Sequence, residues 1–124
     1  MYDISLSIVT YNNEDIIEKT IKSIVSHLDG KINYIMYVID NNSKDDTVNR
    51  VLKCSGNIVL IRNNRNIGFG AAHNVILDRL DSKYHIVVNP DITIVNEVIT
   101  EMYKYMEEHL DIGLLKPLVK FPDG

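Results

Sequence analysis

The chain has 124 residues, 45% of them hydrophobic, with a net charge of −4 and a single cysteine. That length suits one domain able to bury roughly two-thirds of its unfolded surface. The acidic balance lacks the basic face a nucleic-acid partner demands, and one cysteine forbids an internal disulfide, which fits a reducing, cytoplasmic setting. The opening Met1-Tyr-Asp-Ile-Ser5 has no basic, apolar leader, and no apolar run approaches the roughly 20 residues that cross a bilayer.

In chain order, Ile4 to Thr10 reads as a buried strand. Asn13 is expected to cap the next helix, with Glu14 and Asp15 in its first turn, where negative charge suits the dipole. Ile17, Ile21, Ile24, Val25 and Leu28 recur at helical spacing, and Asp29-Gly30 ends the helix. Tyr34 to Ile39 is a second strand, Asp45 to Leu52 a short helix and Ile58 to Ile61 a third strand. Phe69 to Leu80 is predicted helical, with Ala72, Val75, Ile76 and Leu80 on one face. Tyr84 to Val88 is a fourth strand. Val95 to Leu110 is a longer helix with Ile99, Met102, Met106 and Leu110 inward, and Ile112 to Val119 is expected to add a last strand. Strands alternating with helices predict an α/β fold: a mostly parallel open sheet with helices on both faces. Ligands of such sheets sit outside the carboxyl ends of the strands.

Those ends are polar. The first is Thr10-Tyr11-Asn12 and the second Asp40-Asn41-Asn42-Ser43. The third runs through Arg62-Asn63-Asn64-Arg65-Asn66-Ile67-Gly68, and the fourth is Asn89-Pro90-Asp91. Together they offer carboxylates, amides, two arginines and an aromatic ring, the groups that a phosphorylated, base-containing ligand with a cation requires. Two readings stand for Asp40: acceptor for a base N–H or ribose hydroxyls, or opener of the turn before the next helix. Ser43 and Asp46 read as turn and cap residues. Asp91 is a candidate ligand for Mg²⁺ or Mn²⁺, which take few protein carboxylates when a phosphate shares the ion; the bland alternative is an Asn-Pro-Asp turn. The Arg62–Gly70 loop suits a diphosphate, with arginine forks and glycines that let backbone approach, and with the amino end of the next helix aimed at the site. Gly68-Phe69-Gly70 is not a dinucleotide fingerprint, because His73 stands where a third glycine belongs. The four histidines have no metal spacing, and structural roles are expected for His73 and Asn74.

With these segments in hand, the chain resembles the family 2 glycosyltransferases of GT-A fold. The resemblance rests on Ser7-Ile-Val-Thr-Tyr-Asn12, Val38-Ile-Asp-Asn-Asn-Ser-Lys-Asp-Asp-Thr47, Asn64-Arg-Asn-Ile-Gly-Phe-Gly-Ala-Ala-His-Asn74 and Val88-Asn-Pro-Asp91, in that order. It implies a Rossmann-like nucleotide-binding half and transfer of a sugar, with inversion, from a nucleotide diphosphate to a glycan or lipid-linked acceptor, as in polysaccharide biosynthesis. By position, Thr10, Tyr11, Asn12, Asp40 and Asn42 would hold the base and ribose, and Arg65 and Gly68 would flank the nucleotide pocket. Asn89 and Asp91 stand where the family's Asp-x-Asp motif binds the cation and diphosphate. Asn89 departs from that motif and brings no charge, which weakens the case for a metal. Asn-Pro-Asp looks like the rhamnosyltransferase-like branch, favouring dTDP-rhamnose over a UDP-sugar.

The resemblance also implies a catalytic carboxylate in an acceptor-binding half beyond the metal motif. Residues 1–124 are therefore expected to be the donor-binding part, truncated before that half. Asp123 reads as a turn residue, and the catalytic residue is unknown. The apolar surface left by a missing half predicts a homo-oligomer, and the acceptor predicts work at the inner face of the membrane. Two rivals fall short: a phospho-receiver domain needs an acidic cluster after the first strand, and a pyrophosphorylase needs a glycine-rich loop there. A non-catalytic nucleotide-sugar-binding or assembly module stays open.

Overall fold

The computed structural model describes residues 1–115. Its strands are β1 (Tyr2–Thr10), β2 (Tyr34–Asp40), β3 (Ile58–Arg62) and β4 (Ser82–Val88). All pair in parallel, in the order β3-β2-β1-β4. The helices are α1 (Ile17–Leu28), α2 (Thr47–Leu52), α3 (Phe69–Asn74) and α4 (Val98–Glu108), with a 3₁₀ turn at Leu77–Arg79. The α/β parallel sheet is therefore as the sequence predicts. No described helix is long and apolar enough to cross a membrane.

β2 is buried along its whole length, which is why Tyr34 to Ile39 reads as an unbroken apolar run rich in β-branched and aromatic residues. One sheet face carries Ile4, Leu6, Ile8, Met36 and Val38 against Ile17, Ile21, Ile24 and Leu28 of α1. The other carries Val9, Ile35, Tyr37 and Ile39 against Ala72 and Ile76. Cutting one of these fully buried isoleucines or leucines to alanine costs about 2–5 kcal/mol. From β1 the chain steps outward to β2 and β3, then returns across the sheet to place β4 on the far side of β1. The strand order thus reverses between β1 and β4, and a crevice opens at their carboxyl ends.

Several expected boundaries shift. Asn13 does not cap α1: its side-chain oxygen accepts from Thr10 Oγ1 (2.7 Å) and the Tyr11 N–H (2.9 Å). Its carbonyl instead closes a turn onto Ile16 and Ile17, so the helix starts later and Glu18 is its first-turn acid. Glu14 and Asp15 lie inside that turn, ahead of the helix. The expected helix over 69–80 breaks after α3 into a turn at Val75 and Ile76 (Ile76 at φ −98°, ψ 0°) and the 3₁₀ turn. Ile76 is buried, but Val75, expected on the same inward face, is exposed. α4 is shorter than expected at both ends: Asn96 accepts the Val98 N–H at its start, and Val95 and Leu110 are exposed. Of the strand expected over 112–119, residues 112–115 are described and lie outside regular structure. The rest of it, and Asp123, fall outside the described residues.

Candidate functional site

Register puts the polar strand ends side by side. Thr10 pairs with Asp40, Asp40 with Arg62, and Ile8 with Val88, so Asn89 leaves β4 on the same rim. The order along the rim is Arg62, Asp40, Thr10, Asn89. Thr10, Asp40, the Arg65 loop and Asp91 are thereby brought to one edge.

Side-chain placement then divides the candidates. Thr10 is fully buried and its hydroxyl is held by Asn13, so it shapes the β1 exit and offers no side chain to a ligand. Asn12 adopts φ +52°, and its side-chain oxygen accepts the Lys44 N–H (2.8 Å) while its own N–H donates to Ser43 Oγ (2.9 Å). It staples two loops. Thr47 and Asp45 extend that staple: Thr47 Oγ1 accepts the Asn13 N–H, and Asp45 accepts the Glu14 and Thr47 N–H groups. Asp45, not Asp46, thus serves the start of α2; Asp46 bonds Asn49 and Arg50. Asp40 is fully buried, its carboxylate accepting the Ser43 N–H (3.0 Å) and hydroxyl. The turn-opening reading of Asp40 is thus present in the structure. A carboxylate has about four acceptor positions, of which Ser43 fills two, but like Thr10 the side chain is fully enclosed.

Other candidates are free. Tyr11 is exposed, as are Arg62, Arg65, Gly68, Asn89 and Asp91. Asn42, at φ +68°, is half-buried. The side chains of Tyr11, Asn42, Arg65, Asn89 and Asp91 have no hydrogen-bond or ion-pair partner among the described residues. Gly68 sits at φ +86°, and a β-carbon added there would meet nothing within 4 Å, so its conformation rather than crowding favours glycine. α3 spans only six residues, so its amino end is not an anion site on its own.

Asn41, to which no motif assigns a role, organises this rim. It is 2% exposed. Its amide oxygen accepts from Asn63 Nδ2 (3.0 Å) and the Ile67 N–H (3.4 Å), and its amide nitrogen donates to the Gly68 carbonyl (3.1 Å). One side chain thus fastens both ends of the loop that carries Arg65. Beneath α3, a polar chain crosses the sheet face. His73 Nδ1 meets Ser7 Oγ (2.7 Å), Ser7 Oγ meets His85 Nε2 (2.9 Å), and His85 Nδ1 meets Ser5 Oγ (2.7 Å). Burial lowers the pKa of both imidazoles, and His73 adds to the effect on His85. The structural role expected for His73 is this one.

Among the described residues no group of three or more His, Cys, Asp or Glu could cage a metal. A lone free carboxylate does fit Mg²⁺ or Mn²⁺ when substrate phosphates and water complete the shell. Asp91 meets that condition, with Asn89 a neutral oxygen donor beside it.

Compared with known proteins, residues 5–123 match the model of the glycosyl transferase family 2. The chain belongs to that family. It is 28% identical over 123 residues to an uncharacterized glycosyltransferase of Methanocaldococcus jannaschii, covering 97% of this chain and 42% of that one. It is 30% identical over 120 residues to the poly(ribitol-phosphate) beta-glucosyltransferase of Bacillus spizizenii, covering 91% of this chain and 19% of that one. Among solved structures, S. aureus TarS 1-349 in complex with UDP-GlcNAc matches with a TM-score of 0.79 and 25% identity, over 87% of this chain and 32% of that one. A Pyrobaculum calidifontis mannosyltransferase in complex with GDP-Man and Mn²⁺ shares the fold at 18% identity, with a TM-score of 0.75 over 85% of this chain and 32% of that one. The family 2 chain therefore spans less than half the length of each of these relatives.

Proposed function

We propose that this chain is the donor-binding part of an inverting glycosyltransferase, taking a sugar nucleotide at the crevice between β1 and β4. The observation that carries the reading is the set of free side chains on that rim: Tyr11 and Asp91 beside the β1 and β4 exits, and Arg65 on the loop after β3. Tyr11 offers a ring for the base to stack on, and Asp40 would accept a base N–H or ribose hydroxyl once the Ser43 turn that encloses it opens. Arg65 offers a planar fork for phosphate oxygens. A divalent cation held by Asp91 would draw charge from the departing diphosphate. Arg65 would stabilise the same developing charge.

The reaction is a direct displacement. The acceptor hydroxyl oxygen bonds to the anomeric carbon as the bond to the diphosphate oxygen breaks, and the hydroxyl proton passes to a general base. No described carboxylate is assigned that role. The acceptor is a hydroxyl of a glycan or lipid-linked molecule. The Asn-Pro-Asp segment favours dTDP-rhamnose as donor, whereas the TarS complex favours UDP-GlcNAc.

Calorimetric titration of UDP-GlcNAc, dTDP-rhamnose and GDP-mannose, with and without Mn²⁺, tests the reading. Binding of at least one donor is expected, weakened about 10-fold or more in Arg65→Ala, the worth of one hydrogen bond to a charged group. Heat flat for every donor under both conditions contradicts it. Transfer to an acceptor by this chain alone would rule out the binding-module alternative, whereas binding without transfer is what a donor-binding part lacking the general base also predicts.

A further inference from the structure

The segment after β4 alternates. Asn89, Asp91 and Thr93 are exposed, while Pro90, Ile92 and Ile94 turn inward. Ile92 and Ile94 pack on the core that α1 shares with the sheet. Apolar contact alone would leave such a segment free to slide, since dispersion and burial have no direction. Two hydroxyls on α1 supply the direction.

Thr20 stands on the otherwise apolar stripe of α1, among Ile17, Ile21 and Ile24, and is fully buried. A β-branched hydroxyl residue is a poor choice there for helix propensity or burial. Its hydroxyl does not fold back onto its own helix; it donates to the Pro90 carbonyl at 2.9 Å. One turn on, Ser23 Oγ accepts the Ile94 N–H (3.0 Å) and donates to the Thr20 carbonyl (2.8 Å). The two bonds bracket Asp91, one on the peptide just before it and one three residues after. The chain Ile94 N–H to Ser23 to the Thr20 carbonyl is continuous, and such chains reinforce themselves.

We infer that Thr20 and Ser23 are positioning residues that fix the backbone carrying Asp91, and so set the geometry of the cation and diphosphate at this rim. The inference rests on Asp91 being the cation ligand of the proposed function. Groups that orient a metal-binding side chain without touching the metal alter metal affinity by about 10–100-fold when removed. Neither hydroxyl lies on the rim itself, so neither touches the nucleotide.

The test compares UDP binding with and without Mn²⁺, by calorimetry, in the wild type and in Thr20→Val, Thr20→Ser and Ser23→Ala. Wild-type affinity for UDP is expected to rise with Mn²⁺. Thr20→Val keeps the shape but leaves the Pro90 carbonyl unpaired, and should reduce that rise about 10-fold or more. UDP affinity without Mn²⁺ should stay as in the wild type. Thr20→Ser restores the hydroxyl and should restore the Mn²⁺ effect. Ser23→Ala, a change that favours helix, should reproduce the loss even if Thr20→Val unfolds. Folded Thr20→Val or Ser23→Ala with the full Mn²⁺ enhancement overturns the inference. A wild type that binds UDP without responding to Mn²⁺ would instead overturn the cation role of Asp91, and this inference with it. A wild type that ignores UDP altogether would sink the functional reading first.

Discussion

Gly56 shows how tightly single residues are specified. It sits at φ +128°, and an added β-carbon would lie 2.9 Å from Tyr34 Oη and 3.1 Å from both Val25 methyls. The Tyr34 phenol cannot swing away freely, because it donates to Asp29 (2.7 Å). Burial and that carboxylate together push its pKa up to about 12. Gly56→Ala should therefore cost about 1–3 kcal/mol through strain and displaced contacts, read as a lower urea midpoint; an unchanged midpoint would contradict this packing. Asn41→Ala should cost a similar 1–3 kcal/mol, because it strands the Gly68 carbonyl, the Asn63 side-chain amide and the Ile67 N–H. It should also weaken nucleotide binding by freeing the Arg65 loop. The same variant with full stability and affinity would remove Asn41 from its assigned place.

The histidine chain gives a pH dependence with a definite sign. His73 and His85 both have folded pKa values below the ordinary 6.5. Below pH 6.5 the unfolded chain takes up protons that the folded imidazoles resist, so stability rises with pH. The contribution is complete above 6.5 and is lost as pH falls toward and through the lowered folded values. Urea midpoints measured from pH 8 to pH 5 should fall more in the wild type than in a His73→Gln, His85→Gln variant. Equal falls would assign the acid sensitivity to carboxylates alone.

At the scale of elements, the strands were legible because their chemistry is local. β-branched and aromatic runs mark β1, β2 and β4, and the polar residues that follow each run mark its exit. Helix α1 was legible from its apolar spacing. What escaped was which polar residue faces which partner. Asn12 and Lys44 meet across 32 positions of sequence, and Ser7 and His85 across 78. No window of sequence contains both. Asn41 and Asn42 look equivalent as letters, yet one turns inward to hold the β3–α3 loop and the other sits half-buried at positive φ. The Asn96 turn that opens α4, accepting the Val98 N–H, was readable as an Asn before an apolar run, and would have moved the helix start close to its observed place. Thr20 carried a signal too: a hydroxyl on an apolar stripe needs a partner, and here the partner is the loop bearing Asp91. Thr20→Val should thus act on cation binding more than on folding.

For the molecule as a whole, strand order matters more than any motif. The sheet could present Thr10, Asp40, Arg62 and Asn89 on one rim only if every strand runs the same way, and every observed pairing is parallel. The return from β3 across the sheet to β4 then places the Asn89–Asp91 exit beside the β1 exit, across the crevice from the base-binding candidates. Alternation of strand and helix predicted the parallel sheet; it could not predict that β4 lands beside β1, because that depends on packing between distant elements. The most direct test is a crystal of the chain with UDP-GlcNAc and Mn²⁺. The diphosphate should appear at the carboxyl ends of β1 and β4, between Arg65 and Asp91, with the base near Tyr11. Nucleotide density at the amino ends of the strands, or on the outer face of α4, would contradict it.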